Sequence, residues 1–137
     1  MQINPIDPHQ VNFFWPTIAG FIAASQRRGP STMTVEQIRE HCVAYEDWRL
    51  LIFDHFDGAA VVRVWDDRLH IVAIGGQLEK GWHLIFFDWL KRVAKFLGLR
   101  FVTLGGRKGW TRLLKPLGFV PLDSVYLGVE IPLEIEP

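Results

Sequence analysis

The sequence predicts a mixed α/β fold, an α+β mixed sheet in a single domain over residues 1–137. Three observations predict it. First, "WRLLIFDHF", "AAVVRVW" and "RLHIVAIGG" are consecutive β-rich runs joined by the turn pairs Asp57-Gly58 and Asp66-Asp67, the pattern of an antiparallel meander. Second, the period then turns helical, and Phe86, Trp89, Leu90, Val93, Ala94 and Leu97 form a wide apolar stripe. Third, "LRFVTL" follows as a nearly continuous apolar run, as a strand covered on both faces requires. A strand, a helix and a second buried strand imply one parallel crossover.

The elements follow in order. "MQINPI" makes a short strand before "DPHQ". Residues 11 to 26 read as a helix, with Val11, Phe14, Trp15, Ile18, Phe21 and Ile22 on one stripe. Pro16 leaves two alternatives. If Asn12 caps the helix, Pro16 falls in the first turn, where its missing N–H costs nothing; if the helix starts at Asp7, a kink is expected. "RRGPST" ends this helix, and Thr34 with Gln37 forms a capping-box pattern opening a second, with Val35, Ile38, Cys42 and Tyr45 on its buried face. After the meander comes the long helix at about residues 82 to 97, with Gly98 placed as its stop. The strand "LRFVTL", a short helix within residues 108 to 117, and the runs "FVPL" and "VYLGVEI" around Asp123-Ser124 complete the chain. The predicted order is β-α-α-β-β-β-α-β-α-β-β.

Fifteen basic and fifteen acidic residues give zero net charge, so no global field draws the chain to nucleic acid or an anionic membrane. Cys42 is the only cysteine, which excludes an internal disulfide. With no signal peptide and no apolar run of spanning length, an intracellular compartment is the expectation. Six tryptophans and ten phenylalanines fit a heavily aromatic core; the sharper reading adds an exposed aromatic patch used for assembly. The five histidines show no metal-ligand spacing, so no metal is expected. His41 and Cys42 adjoin on a helix, where their side chains diverge, which argues against a nucleophilic pair.

The element order, with the "GF" of "LLKPLGF" opening the penultimate strand, resembles the GCN5-related N-acetyltransferase (GNAT) superfamily over nearly the whole chain. The resemblance implies a GNAT-like acyl-CoA N-acyltransferase fold, with acetyl-CoA in a gap between splayed fourth and fifth strands. It implies that the pyrophosphate sits on backbone amides before the long helix, where free N–H groups and the dipole favour an anion. That loop is "GGQLEKGWH" here, which makes Gln77, Lys80, Gly81, Trp82 and His83 the candidate cofactor residues. The family pattern is Gln or Arg, two residues, Gly, any residue, then Gly or Ala. Gln77 is followed by Gly81 one residue late, Trp82 fills the variable place, and His83 stands where a small residue is expected. A bulky indole and an imidazole would obstruct the usual pose, with Lys80 and His83 as partial compensation. The competing reading is a turn whose glycines serve chain reversal.

A second family pattern is Asn, two residues, Ala, three residues, Tyr, three residues, Gly-Phe. Counting back from Gly118-Phe119 places Leu114 at the tyrosine, Trp110 at the alanine and Arg107 at the asparagine. The tyrosine ordinarily gives a proton to the leaving thiolate, and leucine has none to give. Pro116 lacks an N–H and should shorten this helix. For a general base the fourth strand offers no glutamate; its nearest titratable group is His70, and Tyr126 supplies a phenol on a closing strand. Both stand as candidate catalytic residues, against the blander reading of ordinary packing.

Lys91, Arg92, Lys95, Arg100, Arg107, Lys108, Arg112 and Lys115 crowd one region opposed nearby only by Asp88, while Glu130, Glu134 and Glu136 collect later. This is either a solvated face or a surface on which Arg107 and Lys108 meet a CoA phosphate, nucleic acid or an acidic partner. Neutral total charge makes nucleic acid the weakest of these. The size and "GGRKGWTRLLKPLGF" also resemble, more loosely, compact GNAT-like proteins of tailed bacteriophages, including internal virion proteins. That resemblance implies a virion structural or assembly role through protein partners, in the host cytoplasm or the virion, with degraded cofactor and catalytic motifs. The alternative is an active acetyl-CoA-dependent N-acetyltransferase acting on a small-molecule or protein amine.

Overall fold

The computed structural model describes residues 1–29, 31–105 and 109–132. Among these the chain runs β1 (Ile3–Ile6), α1 (Val11–Arg28), α2 (Val35–Ala44), β2 (Trp48–Phe53), β3 (Gly58–Trp65), β4 (Arg68–Gly76), α3 (Trp82–Phe96), β5 (Phe101–Gly105), α4 (Trp110–Leu114), β6 (Val120–Pro121) and β7 (Tyr126–Glu130). That is the order the sequence predicts. The strands form one sheet in the order β1-β2-β3-β4-β5-β7-β6. Every neighbouring pair is antiparallel except β4 with β5, which run parallel through α3.

Alternation along β2 sends Leu50 and Ile52 to one face of the sheet and Leu51 and Phe53 to the other. The first face is covered by α1 and α2 through Val11, Trp15, Ile18, Ile22, Ile38 and Cys42. The second is covered by α3 and α4 through Phe86, Phe87, Leu90, Ala94 and Leu114. Burial holds the Cys42 thiol up at about 12, so it stays protonated and inert. Trp15, Trp48, Phe53, Phe86, Phe87, Trp110 and Phe119 are buried in the core, whereas Phe13 is 81% exposed and Phe96 89%.

The cap of α2 forms as the sequence expects. Thr34 Oγ1 accepts the Gln37 amide at 3.1 Å, and Gln37 Oε1 accepts the Thr34 amide at 2.8 Å. Thr34→Ala should lower stability by about 1 kcal/mol, read as a small drop in urea midpoint at unchanged slope. Gly98, at φ 73°, stops α3 with two bonds, Leu99 N–H to the Ala94 carbonyl and Gly98 N–H to the Lys95 carbonyl.

Three expectations change. α1 starts at Val11, led in by a 3₁₀ turn over Pro8–Gln10, so Pro16 lies beyond the first turn and cannot return an N–H to the Asn12 carbonyl. Asn12 does not cap; its Oδ1 accepts from Arg39 Nη1 on α2 at 2.8 Å. Tyr45 is exposed because α2 ends at Ala44 and the chain turns extended there. Leu97 is exposed because it sits where the Gly98 turn begins; Leu99 packs on the core instead.

The Gly75-Gly76 pair has a packing reason. A side chain at Gly75 would overlap the Phe21 carbonyl of α1, and one at Gly76, at φ 143°, would overlap Asp57 and Gly58. Glycine here lets α1 lie directly on β4.

Candidate functional site

Register opens a gap in the sheet. β4 pairs with β5 only from Arg68–Phe101 to Ile71–Leu104, while β4 runs on to Gly76 against β3 alone. Val61 pairs with Ala73 and Val62 with Ile71, so Val72 is an extra residue that bends β4 at the point of divergence. In the stretch beyond, the Ile74 amide donates to Ser25 Oγ at the end of α1 at 3.1 Å.

A cavity of about 330 Å³ occupies this opening, on the face that carries α1 and α2. Ser25, Arg63, Trp65, His70, Tyr126 and Trp110 are among the residues lining it. Cross-strand registry brings them together: Arg63 pairs with His70, His70 with Thr103, and Tyr126 with Gly105. His70 Nδ1 lies 2.8 Å from Thr103 Oγ1. The rings of Trp65, His70 and Tyr126 meet edge-on in a mutual trio with centroids 5.2, 5.6 and 5.3 Å apart.

Burial, with the charges of Arg63 and Arg68 adding to it, lowers the His70 pKa to about 4. The imidazole is therefore neutral near pH 7 and able to accept a proton. The folded chain binds fewer protons here than the unfolded chain, so this contribution is full above the ordinary histidine range and is lost as pH falls through it toward 4. Lowering the pH from about 7.5 to about 4.5 should remove up to roughly 3 kcal/mol of stability through His70. Urea unfolding of wild type and His70→Gln at both pH values measures it: the variant should lose less. Equal losses would show that other groups carry the acid sensitivity. Asp123, its carboxylate held low by the Val125 and Tyr126 amides, titrates in both proteins and cancels in the comparison.

The loop before α3 lies apart from this cavity. Gln77 and Lys80 are exposed, and Lys80 lines a separate hollow of about 270 Å³ with Asp54, His55 and Asp57. Gly81 takes φ 86° just ahead of the helix. Several loop amides are already engaged: Gln77 N–H on the Asp57 carbonyl at 2.8 Å, Trp82 N–H on Glu79 at 3.1 Å, Leu84 N–H on Gly81 at 3.1 Å. Trp82 turns inward, its ring 6.2 Å from that of Trp110 and 6.4 Å from that of Phe87; His83 is half-buried against it at 6.0 Å. Trp110 is buried, opens α4, and reaches the cavity from the other side. Two indoles in contact thus stand between the start of α3 and the start of α4, where Trp110 borders the cavity. Leu114 is fully buried in the α3 layer and does not line the cavity, and α4 does end before Pro116. Arg107 lies outside the described residues.

The basic region is partly neutralised. Arg92 pairs with Asp88 at 3.2 Å, Arg100 lies 3.7 Å from both Asp67 and Glu130, and Lys91 donates to the Leu117 carbonyl. No group of residues able to hold a metal ion, and no helix long and apolar enough to cross a membrane, occurs among the described residues.

Sequence reasoning singled out His70 and Tyr126 but missed Arg63, Trp65 and Thr103. A signal was present: period-2 spacing puts Arg63 with Trp65, and Arg68 with His70, on one face of a hairpin.

No protein-family model and no curated protein matches the chain by sequence. Solved structures do match by shape. GCN5 of Tetrahymena superposes with TM-score 0.71 at 9% identity, covering 98% of this chain and 99% of that one. The ribosomal-protein-S18-alanine N-acetyltransferase of Escherichia coli gives 0.67 at 13%, covering 98% and 96%. An N-acetyltransferase of Thermoplasma acidophilum, solved in complex with coenzyme A, gives 0.65 at 10%, covering 95% and 99%. At these identities the likeness speaks for architecture, and with the splayed β4 and β5 it establishes that this chain has the GNAT fold.

Proposed function

We propose that this chain is a GNAT-fold protein with its cofactor approach closed, acting through contacts with protein partners rather than by acetyl transfer. The observation that carries the reading is the Trp82–Trp110 contact, which puts two indoles where the resemblance implies a cofactor chain. The buried Leu114 at the family's tyrosine position supports it. For partner contact the support is an exposed aromatic run, Phe13 on Phe14 at 5.1 Å and Phe14 on Phe56 at 6.2 Å. The more specific role, a phage-encoded virion or assembly protein, rests on the sequence ending alone. Calorimetric titration with acetyl-CoA tests the reading: heats should stay unsaturated to about 1 mM, and micromolar binding would overturn it.

A second reading, an active acetyl-CoA-dependent N-acetyltransferase, is favoured by one observation, the neutral His70 and the Tyr126 phenol on one cavity beside the strand gap. Acetyl transfer to an amine that falls on His70→Gln would establish it.

A further inference from the structure

Arg63 is held in an unusual way. Its guanidinium carbon lies 4.9 Å from the Trp48 ring centroid and 5.6 Å from that of Trp65, so two indoles flank it. Its Nε is buried without a hydrogen-bond partner, and among the described residues no carboxylate or carbonyl accepts from any of its nitrogens. A guanidinium carries five N–H donors in one plane, and a partly buried one normally finds an acceptor. Here the π faces offset part of the charge, and the buried Nε has no protein acceptor.

Arg68 adds a second positive charge nearby, and no carboxylate lines the cavity itself. The Arg68 guanidinium carbon lies 5.0 Å from the Trp65 ring centroid. With the Val125 and Tyr126 amides, the Arg68 charge also helps to hold the exposed Asp123 carboxylate low. The cavity walls carry the rings of Trp48, Trp65, Trp110 and Tyr126, aliphatic strand residues, and polar side chains such as Gln26 and Thr32 from the end of α1 and the segment after it. The edge-on rings of Trp65 and Tyr126 give the cavity an aromatic wall, and the fork of Arg63 gives it a cationic one. His70 and Tyr126 stand at the same cavity and add N–H or O–H donors.

We propose that this cavity is a binding site for a small organic anion, a carboxylate on a flat apolar body, held at its charged end by the fork of Arg63. The geometry suits a carboxylate because two parallel N–H···O bonds match the planar guanidinium, while the body lies against Trp65 and Tyr126. The volume, about 330 Å³, accepts a body of one or two rings. The residues that carry the proposal, Arg63, Trp65, His70 and Tyr126, lie on β3, β4 and β7 rather than in the loop before α3, and Trp110 is the one lining residue shared with the approach to α3.

Benzoate, with benzamide as its uncharged counterpart and inorganic phosphate as an anion without a body, is the probe set. Titration followed by tryptophan fluorescence and by the His70 ring-proton resonance should give saturable benzoate binding near about 1 mM or tighter. Benzamide and phosphate should each bind at least about tenfold more weakly. Arg63→Gln should lose benzoate binding by about tenfold or more, and Arg63→Lys, which keeps the charge but not the fork, should lose much of it. Thermal melts of both variants establish that they remain folded, and if Arg63→Gln unfolds, Arg63→Lys alone decides. Equal binding of benzoate and benzamide, benzoate binding that survives in a folded Arg63 variant, or no saturation with the His70 resonance unmoved would each overturn the proposal. Acetyl-CoA titrated in parallel reports on the closed approach separately.

Discussion

Leu90→Ala lowers the folding free energy by about 2–5 kcal/mol, while Glu79→Ala changes it by no more than about 0.5 kcal/mol. Leu90 is fully buried in the middle of α3, in the layer that includes Phe86, Phe87, Val102 and Leu127. Truncation removes the transfer free energy of its methyl groups and leaves a cavity that the flanking rings, fixed by edge contacts such as Phe87 on Phe119 at 5.1 Å, cannot close. Glu79 is exposed in the loop before α3 and is seen in no ion pair among the described residues. Denaturant melts of both variants at one pH measure the difference. Equal small shifts would mean that α3 presents a different face to the sheet.

Opening the approach between β4 and β5 should tighten acetyl-CoA binding by about tenfold or more, some 1.4 kcal/mol, from a wild-type dissociation constant no tighter than about 1 mM. The variant is Trp82→Gly with His83→Gly and Trp110→Ala. Trp82 and Trp110 meet at 6.2 Å and both touch Phe87, so removing the indoles frees the volume between the start of α3 and the cavity. Small residues at 82 and 83 also let the backbone approach a phosphate at the helix N-terminus. The same change removes packing, since Trp110 is buried, and truncating such a ring costs about 3–5 kcal/mol. Titration is therefore paired with a thermal melt, and Trp110→Ala alone serves if the triple variant unfolds. A folded variant that binds no better than wild type would show that the indoles are not what closes the approach. Turnover should stay slow even after opening, because Leu114 carries no proton to give.

Particular residues mark how much the sequence determined. The order of elements was legible because each carries a local signature: the Thr34–Gln37 box, the turns at Asp57-Gly58 and Asp66-Asp67, the α3 stripe, and Gly98. These signals act within a few residues, so they survive reading one residue at a time. The start of α1 was not legible in this way, because Asn12 found a partner in Arg39, 27 residues away, and left the cap position. The purpose of Gly75 was hidden for the same reason: its neighbour is the Phe21 backbone, brought in by packing.

The site divides along the same line. His70 and Tyr126 could be named from residue type and strand position, and Trp82, His83 and Trp110 from their places in the two patterns. That His70 and Tyr126 share a cavity with Arg63 and Trp65, while Lys80 lies elsewhere, depended on the pairing of β3 with β4, β4 with β5 and β5 with β7. Strand register is a long-range property set by which apolar faces can be buried together, and a one-residue slip would have sent every one of these side chains to the opposite face. The sequence by itself determined the elements and the chemistry available on them; only the tertiary structure decided that one arginine would stand between two indoles with no acid to meet it.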